Sequence, residues 1–309
     1  MRINAPNYRL KESDETWWRA NSKVCCVETP GATLGETLVV TSGKGGVGKT
    51  TATANVGAAL AALGNRVVLV DADIGLRNLD VVLGLENRIV YDLVDVIDGY
   101  CRLKQALIRD KRFEGLYLLP AAQTKDKAAV NPEQMRQLVN ELKELELGDE
   151  TETPRQFDYV VIDSPAGIEQ GFRNAISGAD RAFIVTTPEI SAVRDADRII
   201  GLLEAEEIRR PQLIINRLRP GMVRSGDMMG IEDMIDILAV DLLGVVPEDD
   251  GIVISTNRGV PVAGDASSRA GRAYRNIARR ITGEDVPLMD LEKKDSFFGR
   301  LGQILRFRG

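Results

Sequence analysis

Short apolar runs alternate with longer amphipathic stretches from residue 38 onward. Several runs are continuously apolar, which is typical of strands that are covered on both faces. The predicted strands are 38–41, 67–70, 116–119, 159–162, 183–186, 213–215 and 243–246. The stretches with helical spacing are 50–63, 132–145, 191–208 and 231–238. This alternation predicts a single α/β domain with a mostly parallel, doubly wound sheet flanked by helices.

The two ends of the chain depart from this pattern. Residues 1–36 mix charged residues with Pro6 and Pro30 and show no sustained period, so we predict a disordered tail. The folded domain is then expected over residues 37–283. A polar, charged stretch at 284–295 predicts a linker, and residues 296–309 form a separate element.

The last element has the spacing of an amphipathic helix, with apolar residues at i, i+1, i+4, i+7 and i+8 and arginines beside them. The apolar positions are Phe297, Phe298, Leu301, Ile304 and Leu305, and the cationic positions include Arg300 and Arg306. Such a helix is typical of proteins that bind the surface of an anionic membrane. A terminal helix packed on its own core is the alternative. The polar stretch before it favours the membrane.

Composition limits the kinds of catalysis, metal site and partner that are possible. The formal net charge of -6 argues against general attraction to nucleic acid. The absence of histidine excludes Ser-His and Cys-His catalysis and histidine metal sites. The three cysteines form no C-x-x-C pair, which is typical of reduced thiols in a cytosol-like compartment. Any reaction must therefore use carboxylates, lysines, hydroxyls, backbone amides and a bound ion.

The strongest chemical signal is the sequence GKGGVGKT at residues 43–50. It matches the phosphate-binding loop G-x-x-x-x-G-K-[ST] and lies between a predicted strand and a predicted helix, as that motif requires. Its glycines let backbone N–H groups point at phosphate oxygens, and the helix N-terminus adds partial positive charge. Lys49 would reach the β- and γ-phosphates, and Thr50 would ligate Mg²⁺. The expected nucleotide contacts are Gly43, Lys44, Gly45, Gly46, Val47, Gly48, Lys49, Thr50 and Thr51.

Carboxylates follow two of the predicted strands. Asp71 and Asp73 follow the run at 67–70, and Asp163 follows the run at 159–162. Ligands bind at the carboxyl ends of strands in sheets of this kind. We therefore expect Asp71 and Asp73 to act in catalysis by orienting a water or by contacting the hydrated metal, and Asp163 to hold Mg²⁺ through water as a Walker-B acid. All three could instead be turn residues.

A second lysine, Lys44, stands near the start of the loop, and the order K-G-G-x-G-K-T resembles the deviant Walker A motif of the MinD/ParA/nitrogenase iron protein class. Later segments resemble MinD in particular: DADIGLRNLD at 71–80, DSPAGI at 163–168 and VRDADR at 193–198. Asn216, Pro247 and Glu248 resemble positions that flank the adenine in this class. The resemblance extends from about residue 38 to residue 309.

The resemblance implies a P-loop ATPase that uses ATP and Mg²⁺ and forms a homodimer with ATP. Lys44 would be catalytic with Lys49, because the early lysine of this class reaches the nucleotide of the partner subunit. The resemblance also implies septum positioning, recruitment to anionic membrane, a MinC-like inhibitor and a MinE-like activator. The expected location is the cytoplasm and the inner face of the cell membrane, or the stroma and inner envelope of a plastid.

Two other functions belong to different classes of protein. A ParA-like ATPase for DNA partition would need a basic surface stripe, and the acidic balance and the apolar C-terminal face argue against it. We therefore expect no specific nucleic acid partner. A nitrogenase-like electron carrier would need a cysteine after Asp163. No cysteine follows Cys101, so that function is excluded.

Overall fold

All seven predicted runs are strands of one sheet. The structure, a computed structural model, describes residues 35–125, 129–148, 154–208 and 210–291. Within these residues the sheet has eight strands in the order β3–β4–β2–β5–β1–β6–β7–β8. The strands are β1 (Glu36–Thr41), β2 (Val67–Asp71), β3 (Ile108–Arg109), β4 (Leu116–Leu119), β5 (Tyr159–Asp163), β6 (Arg181–Thr186), β7 (Gln212–Leu218) and β8 (Asp241–Pro247). Only β3 and β4 pair antiparallel, so the mostly parallel sheet is confirmed.

Helices connect the strands and lie on both faces of the sheet. They are α1 (Lys49–Ala62), α2 (Leu79–Leu83), α3 (Leu93–Ile97), α4 (Leu103–Ala106), α5 (Pro132–Glu144), α6 (Gln170–Ile176), α7 (Ile190–Ala205), α8 (Pro220–Arg224), α9 (Ile231–Leu238), α10 (Asp250–Asn257) and α11 (Arg269–Ile281). The four predicted helices are α1, α5, α7 and α9. Side chains alternate along each strand. In β1, Val39 therefore joins the core beneath α5, α6 and α7, while Leu38 and Val40 join the core beneath α1 and α11.

The terminal segments lie largely outside the described residues. Strand β1 begins at Glu36, the last residue of the predicted tail, and residues 1–34 are not described. The candidate membrane helix at 296–309 is not described either, so its candidate residues stay predictions. In the described part of the chain, no helix has the length and apolar character needed to cross a bilayer.

The beginning of the predicted linker packs against α11. Arg280, near the end of that helix, donates to the carbonyl oxygens of Val286 at 2.8 Å and Pro287 at 2.9 Å. Arg269, at its start, donates to the carbonyl oxygen of Leu291. Val286 and Leu291 are both buried. Residues 286–291, which we call the strap, therefore run back along α11 towards the end of the helix that begins at Arg269.

Asp249 joins the N-termini of α10 and α11. Its Oδ1 accepts the Gly251 N–H at 2.8 Å, and its Oδ2 accepts the Ser268 hydroxyl at 2.9 Å and the Ala270 N–H at 3.1 Å. Burial alone would raise the pKa of Asp249, but these bonds outweigh it and hold the pKa below its ordinary value of 3.8. One carboxylate, two residues after the end of β8, thus joins the N-termini of α10 and α11.

Asp249→Ala should destabilise the domain, because it removes three hydrogen bonds at two helix starts. We expect a loss of about 1–2 kcal/mol, and roughly 2–8 °C in melting temperature for a domain of this size. Thermal unfolding followed by circular dichroism measures the change. Asp236→Ala is the matched control, since Asp236 is an exposed carboxylate within α9.

The loss of stability caused by Asp249→Ala should depend on pH. A carboxyl whose pKa is lowered on folding contributes stability above its unfolded pKa, and that contribution is lost as the pH falls through the folded pKa. The difference in melting temperature between wild type and Asp249→Ala should therefore be full at neutral pH and shrink below pH 3.8. A difference that stayed constant down to acid pH would show that the carboxylate is not the source.

Candidate functional site

The predicted phosphate-binding loop lies at the carboxyl edge of the sheet, between β1 and α1. Gly48 has φ 94°, a left-handed conformation that favours glycine, and α1 begins at the next residue. A Cβ on Gly43 would lie 2.2 Å from the carbonyl oxygen of Asp195, so the start of the loop packs directly against α7. A Cβ on Gly45 or Gly46 would meet nothing within 4 Å, so the outer side of the loop is open.

Asn216 supports this loop by a hydrogen bond to its backbone. Its side-chain amide donates to the carbonyl oxygen of Val47 at 2.7 Å, and the side chain is buried. A Cβ on Gly48 would lie only 2.3 Å from the Asn216 amide nitrogen. Packing as well as φ therefore requires glycine at position 48. The sequence analysis placed Asn216 beside the adenine, and that contact stays a prediction. The structure adds a contact to the loop that the sequence analysis missed.

Lys49, Thr53 and Asp163 form a buried polar cluster beneath the loop. The Lys49 ammonium lies 2.8 Å from Asp163 Oδ1, and the Thr53 hydroxyl donates to the same oxygen at 3.0 Å. The two charged side chains are 7% and 1% exposed. The Thr50 hydroxyl lies 3.5 Å from the Lys49 ammonium. The structure therefore gathers the predicted phosphate ligand and both predicted metal ligands at one place, and Thr53 is an additional member.

Asp71 lies beside Asp163, because β2 and β5 are neighbours and the two aspartates pair in register. Asp71 Oδ1 accepts the Asp73 N–H at 3.0 Å, and Oδ2 accepts the N–H groups of Asn78 and Leu79 at 3.2 Å each. Burial, with the nearby charge of Asp163, raises the pKa of Asp71 to about 7. Both carboxylate oxygens are thus bound to the segment that runs from Asp73 to α2, and in this structure Asp71 shapes that segment.

The segment after Asp73 is a tight turn at the same edge. The carbonyl oxygen of Asp73 accepts the N–H groups of Leu76 at 3.1 Å and Arg77 at 3.3 Å. Arg77 has φ 30°, and its guanidinium lies 2.9 Å from Asp80 Oδ2 in the first turn of α2. Asp73, half-buried at the end of β2, is positioned by its own backbone and by Asp71. Its predicted catalytic role remains a prediction.

Lys44 stands apart from this cluster, on the outer side of the loop. Its ammonium lies 3.2 Å from the Ser191 hydroxyl and 3.7 Å from Glu189, and its side chain is 44% exposed. Exposed apolar side chains occur in the segments that follow β2, β5 and β6 at this edge of the sheet: Leu76, Ile168 and Ile190. The sequence analysis did not single out these residues, because isolated apolar residues at loops and helix starts give no periodic signal.

The remaining predicted contacts lie at the ends of the last two strands. Pro247 pairs with Leu218, and the Glu248 N–H donates to the Leu218 carbonyl oxygen at 3.0 Å. The Glu248 carboxylate lies 3.7 Å from the Arg219 guanidinium, and both groups are partly exposed. These residues are therefore at the same edge as the loop, and their contact with a base stays a prediction.

Comparison with known proteins decides the family. Residues 38–262 match the family described as the CobQ/CobB/MinD/ParA nucleotide binding domain. The septum site-determining protein MinD of Bacillus subtilis (strain 168) is 59% identical over 278 residues, which cover 89% of this chain and 99% of that protein. This chain belongs to the MinD family.

Solved structures of MinD-family proteins have the same fold. The MinC:MinD cell division protein complex of Aquifex aeolicus matches with a TM-score of 0.74 at 48% identity, over 82% of this chain and 98% of that chain. MinD of Pyrococcus horikoshii, complexed with Mg-ADP, matches with a TM-score of 0.70 at 31% identity, over 80% and 95% of the two chains. The P-loop fold predicted from the motif is therefore confirmed for this member of the MinD family.

The residues of this MinD-family site fit a magnesium nucleotide. The open outer side of the loop leaves space for phosphates, and the start of α1 supplies N–H groups and partial positive charge. Lys49 would neutralise phosphate charge, while the Thr50 hydroxyl and Asp163, through water, would hold Mg²⁺. Mg²⁺ is commonly held by only one or two protein groups together with phosphates and water, which agrees with so small a set.

Asn216→Asp should weaken nucleotide binding in this MinD-family protein. It replaces a donor to the Val47 carbonyl with a carboxylate that repels both that oxygen and the phosphates above it. Removing a buried partner costs about 1–3 kcal/mol, so we expect roughly a 10- to 100-fold loss of ATP affinity, measured by titration calorimetry. Asn216→Ala, which adds no charge, should lose less. Equal affinity in the wild type and Asn216→Asp would show that the loop does not depend on this contact.

Proposed function

We propose that this chain is an ATP-dependent, dimerising ATPase that binds membrane in its ATP form and helps to position the division septum by recruiting an inhibitor of division. The observation that carries the proposal is the Lys49–Thr50–Asp163 cluster beneath an open glycine loop, with Lys44 exposed above it. The first group suits phosphate and Mg²⁺. The exposed lysine suits contact with a second copy.

Nucleotide binding would change the partner of Lys49. Its charge is buried, and Asp163 compensates it at 2.8 Å. A buried charge that loses its partner is strongly destabilised, so Lys49 can leave Asp163 only if phosphate replaces it. Thr50 and, through water, Asp163 would hold Mg²⁺, which would supply positive charge to stabilise the phosphates during hydrolysis. Asp163 is then free to accept hydrogen bonds from water at the ion.

Hydrolysis would depend on Asp73. Its carboxylate lies at the carboxyl end of β2, where it could accept a hydrogen bond from the attacking water and hold it in line. Asp71 contributes through the backbone, since it fixes the N–H groups on both sides of this turn. The two acids, which the sequence analysis treated alike, would therefore act differently: Asp73 on water and Asp71 on the position of Asp73.

Dimerisation would bury the surface around the loop. Leu76, Ile168 and Ile190 are exposed here, and complete burial of such side chains is worth roughly 1.5–3 kcal/mol each. A partner copy placed over this surface would also bring its Lys44 towards the neighbouring phosphates. Among the described residues, the Lys44 ammonium contacts the Ser191 hydroxyl at 3.2 Å and the Glu189 carboxylate at 3.7 Å, so a small movement frees it.

The biological role rests on relatives. The Bacillus subtilis relative is named for septum site determination, and the Aquifex aeolicus neighbour was solved in complex with MinC. We infer the same role and a MinC-like partner here. A MinE-like activator, the anionic membrane and a place on the inner face of the cell membrane rest on the family resemblance and on the amphipathic pattern of residues 296–309. The net charge of -6 speaks against the alternative, a ParA-like DNA-partition ATPase.

Lys44→Ala should separate nucleotide binding from dimerisation. We expect near wild-type ATP affinity, a monomer by light scattering with ATP and Mg²⁺, and loss of stimulated hydrolysis. Lys49→Ala is the comparison variant, and it should lose nucleotide binding itself, because it removes the phosphate ligand and leaves Asp163 buried without its cation. A normal dimer with normal turnover in Lys44→Ala would rule out the role in the partner subunit.

Asp73→Ala should bind ATP and dimerise but hydrolyse slowly. General acid–base groups contribute about 10²–10⁴-fold to rate, so turnover should fall by about that factor in a phosphate-release assay. Asp71→Asn is the contrasting variant, since it disturbs the turn and should lower thermal stability as well as turnover. If Asp73→Ala hydrolysed ATP at the wild-type rate, another group would have to position the attacking water.

Leu301→Glu should abolish membrane binding, because it places a charge in the apolar face of the C-terminal segment. Liposomes with anionic lipid should co-sediment the wild type with ATP more than with ADP, since two linked segments bind about 10²–10⁴-fold more tightly than one. ATP affinity should be unchanged in the variant. Gln303→Glu, a charge placed outside the apolar positions, is the control and should retain most of the binding. Equal sedimentation of Leu301→Glu and wild type would remove this segment as the anchor.

A further inference from the structure

Helix α10 presents an apolar face to solvent. Of its outward residues at i, i+3, i+4 and i+7, Val253 is 62% exposed and Ile254 is 50% exposed, and none of its eight residues is buried. Val81 of α2 is also exposed. The two helices are in contact where they end: a Cβ on Gly259 would lie 2.5 Å from Gly84 Cα and 3.6 Å from the Val81 carbonyl oxygen. We call Val81, Val253 and Ile254 the α2–α10 patch.

We propose that the α2–α10 patch is a docking site for the chain's own C-terminal segment, residues 292–309. This rests on the proposed function only in taking that segment as the membrane anchor. The docked segment would be withheld from membrane, and it would compete with lipid for the same apolar side chains.

The strap brings the segment to the patch. Leu291, the last described residue, is held by Arg269, and the neighbouring Ser268 is bonded to Asp249, the N-cap of α10. The described chain therefore ends within reach of the Arg269 side chain, close to the N-cap of α10. Five extended residues span up to about 17 Å, whereas a helix of eight residues is about 12 Å long. Phe297 is thus within reach of Val253 and Ile254.

Charge also favours this occupant. Residues 292–309 carry five basic residues against two acidic ones, which gives a net charge of +3. Glu248, Asp249 and Asp250 stand consecutively where α10 begins, and the first and last of them are exposed. A basic segment with an apolar stripe matches an apolar patch with an acidic border.

A weak contact is sufficient for docking. A short tether holds the segment at millimolar effective concentration, so even a contact of millimolar affinity would be substantially formed. The patch is also connected to the nucleotide site. Val81 lies two residues after Leu79, whose N–H is held by Asp71, and α10 directly follows Glu248 and Asp249. A movement of α2 would therefore alter the patch.

Disulfide formation in the full chain tests the contact without lipid. The background replaces Cys25, Cys26 and Cys101 with serine, and Ile254→Cys is combined with Leu301→Cys in the presence of ADP. Mild oxidation should give a fast-migrating, internally linked monomer, several-fold more than Ile237→Cys with Leu301→Cys. Ile237 is the matched control because it is also exposed, on α9. Equal linkage of the two pairs would overturn the proposal, and so would a linked dimer, because the occupant would then be a second copy.

Liposome sedimentation supplies the second measurement. Val253→Ser combined with Ile254→Ser should raise binding with ADP by about twofold or more, because docking of about half of the molecules masks the segment by that factor. Ile237→Ser should have no effect. Lower binding with ATP in the double variant would show that the patch contacts lipid directly, which overturns the proposal. If the wild type does not bind liposomes at all, the anchor function fails, and the disulfide experiment still decides the docking.

Discussion

The ion pair between Lys49 and Asp163 joins the first turn of α1 to the centre of the sheet, with two charges that are almost inaccessible to water. Such a pair requires good geometry, and the Thr53 hydroxyl supplies a further bond to the carboxylate. The arrangement fixes the end of β5 relative to the start of α1, and so fixes the base of the phosphate-binding loop. The neighbouring strand β2 adds a second buried carboxylate, Asp71. Burial and the nearby charge of Asp163 raise the pKa of Asp71.

Much of the fold could be predicted from periodicity. The strands of this sheet are covered on both faces, so their apolar runs are continuous and easily found. Helix α11 was missed although its inward face is buried, because half of the buried residues are alanine or glycine and arginines interrupt the apolar spacing. Strand β3 was missed because two residues carry no period. The short helices α2, α3 and α4 depend on turns and caps more than on an apolar stripe.

The candidate site was likewise only partly predictable from the sequence. The motif located the loop, its lysine and its acids, because chemistry demands those residue types in that order. The motif could not distinguish Asp71 from Asp73, since both follow the same strand; the difference lies in which backbone N–H groups surround each carboxylate. Nor could it reveal Asn216 as the support of Val47, because the two residues are 169 positions apart and meet only through the sheet.

The strap is held through its backbone. Arg280 and Arg269 donate to main-chain carbonyl oxygens, which every residue type provides. The exposed side chain at position 288 is therefore little constrained by these bonds, whereas Met289 packs against both cores and positions 286 and 291 are buried. A substitution at position 288 would leave the point from which the following segment departs in place. Replacement of either arginine would shift that point, even in a chain whose candidate site residues were all retained.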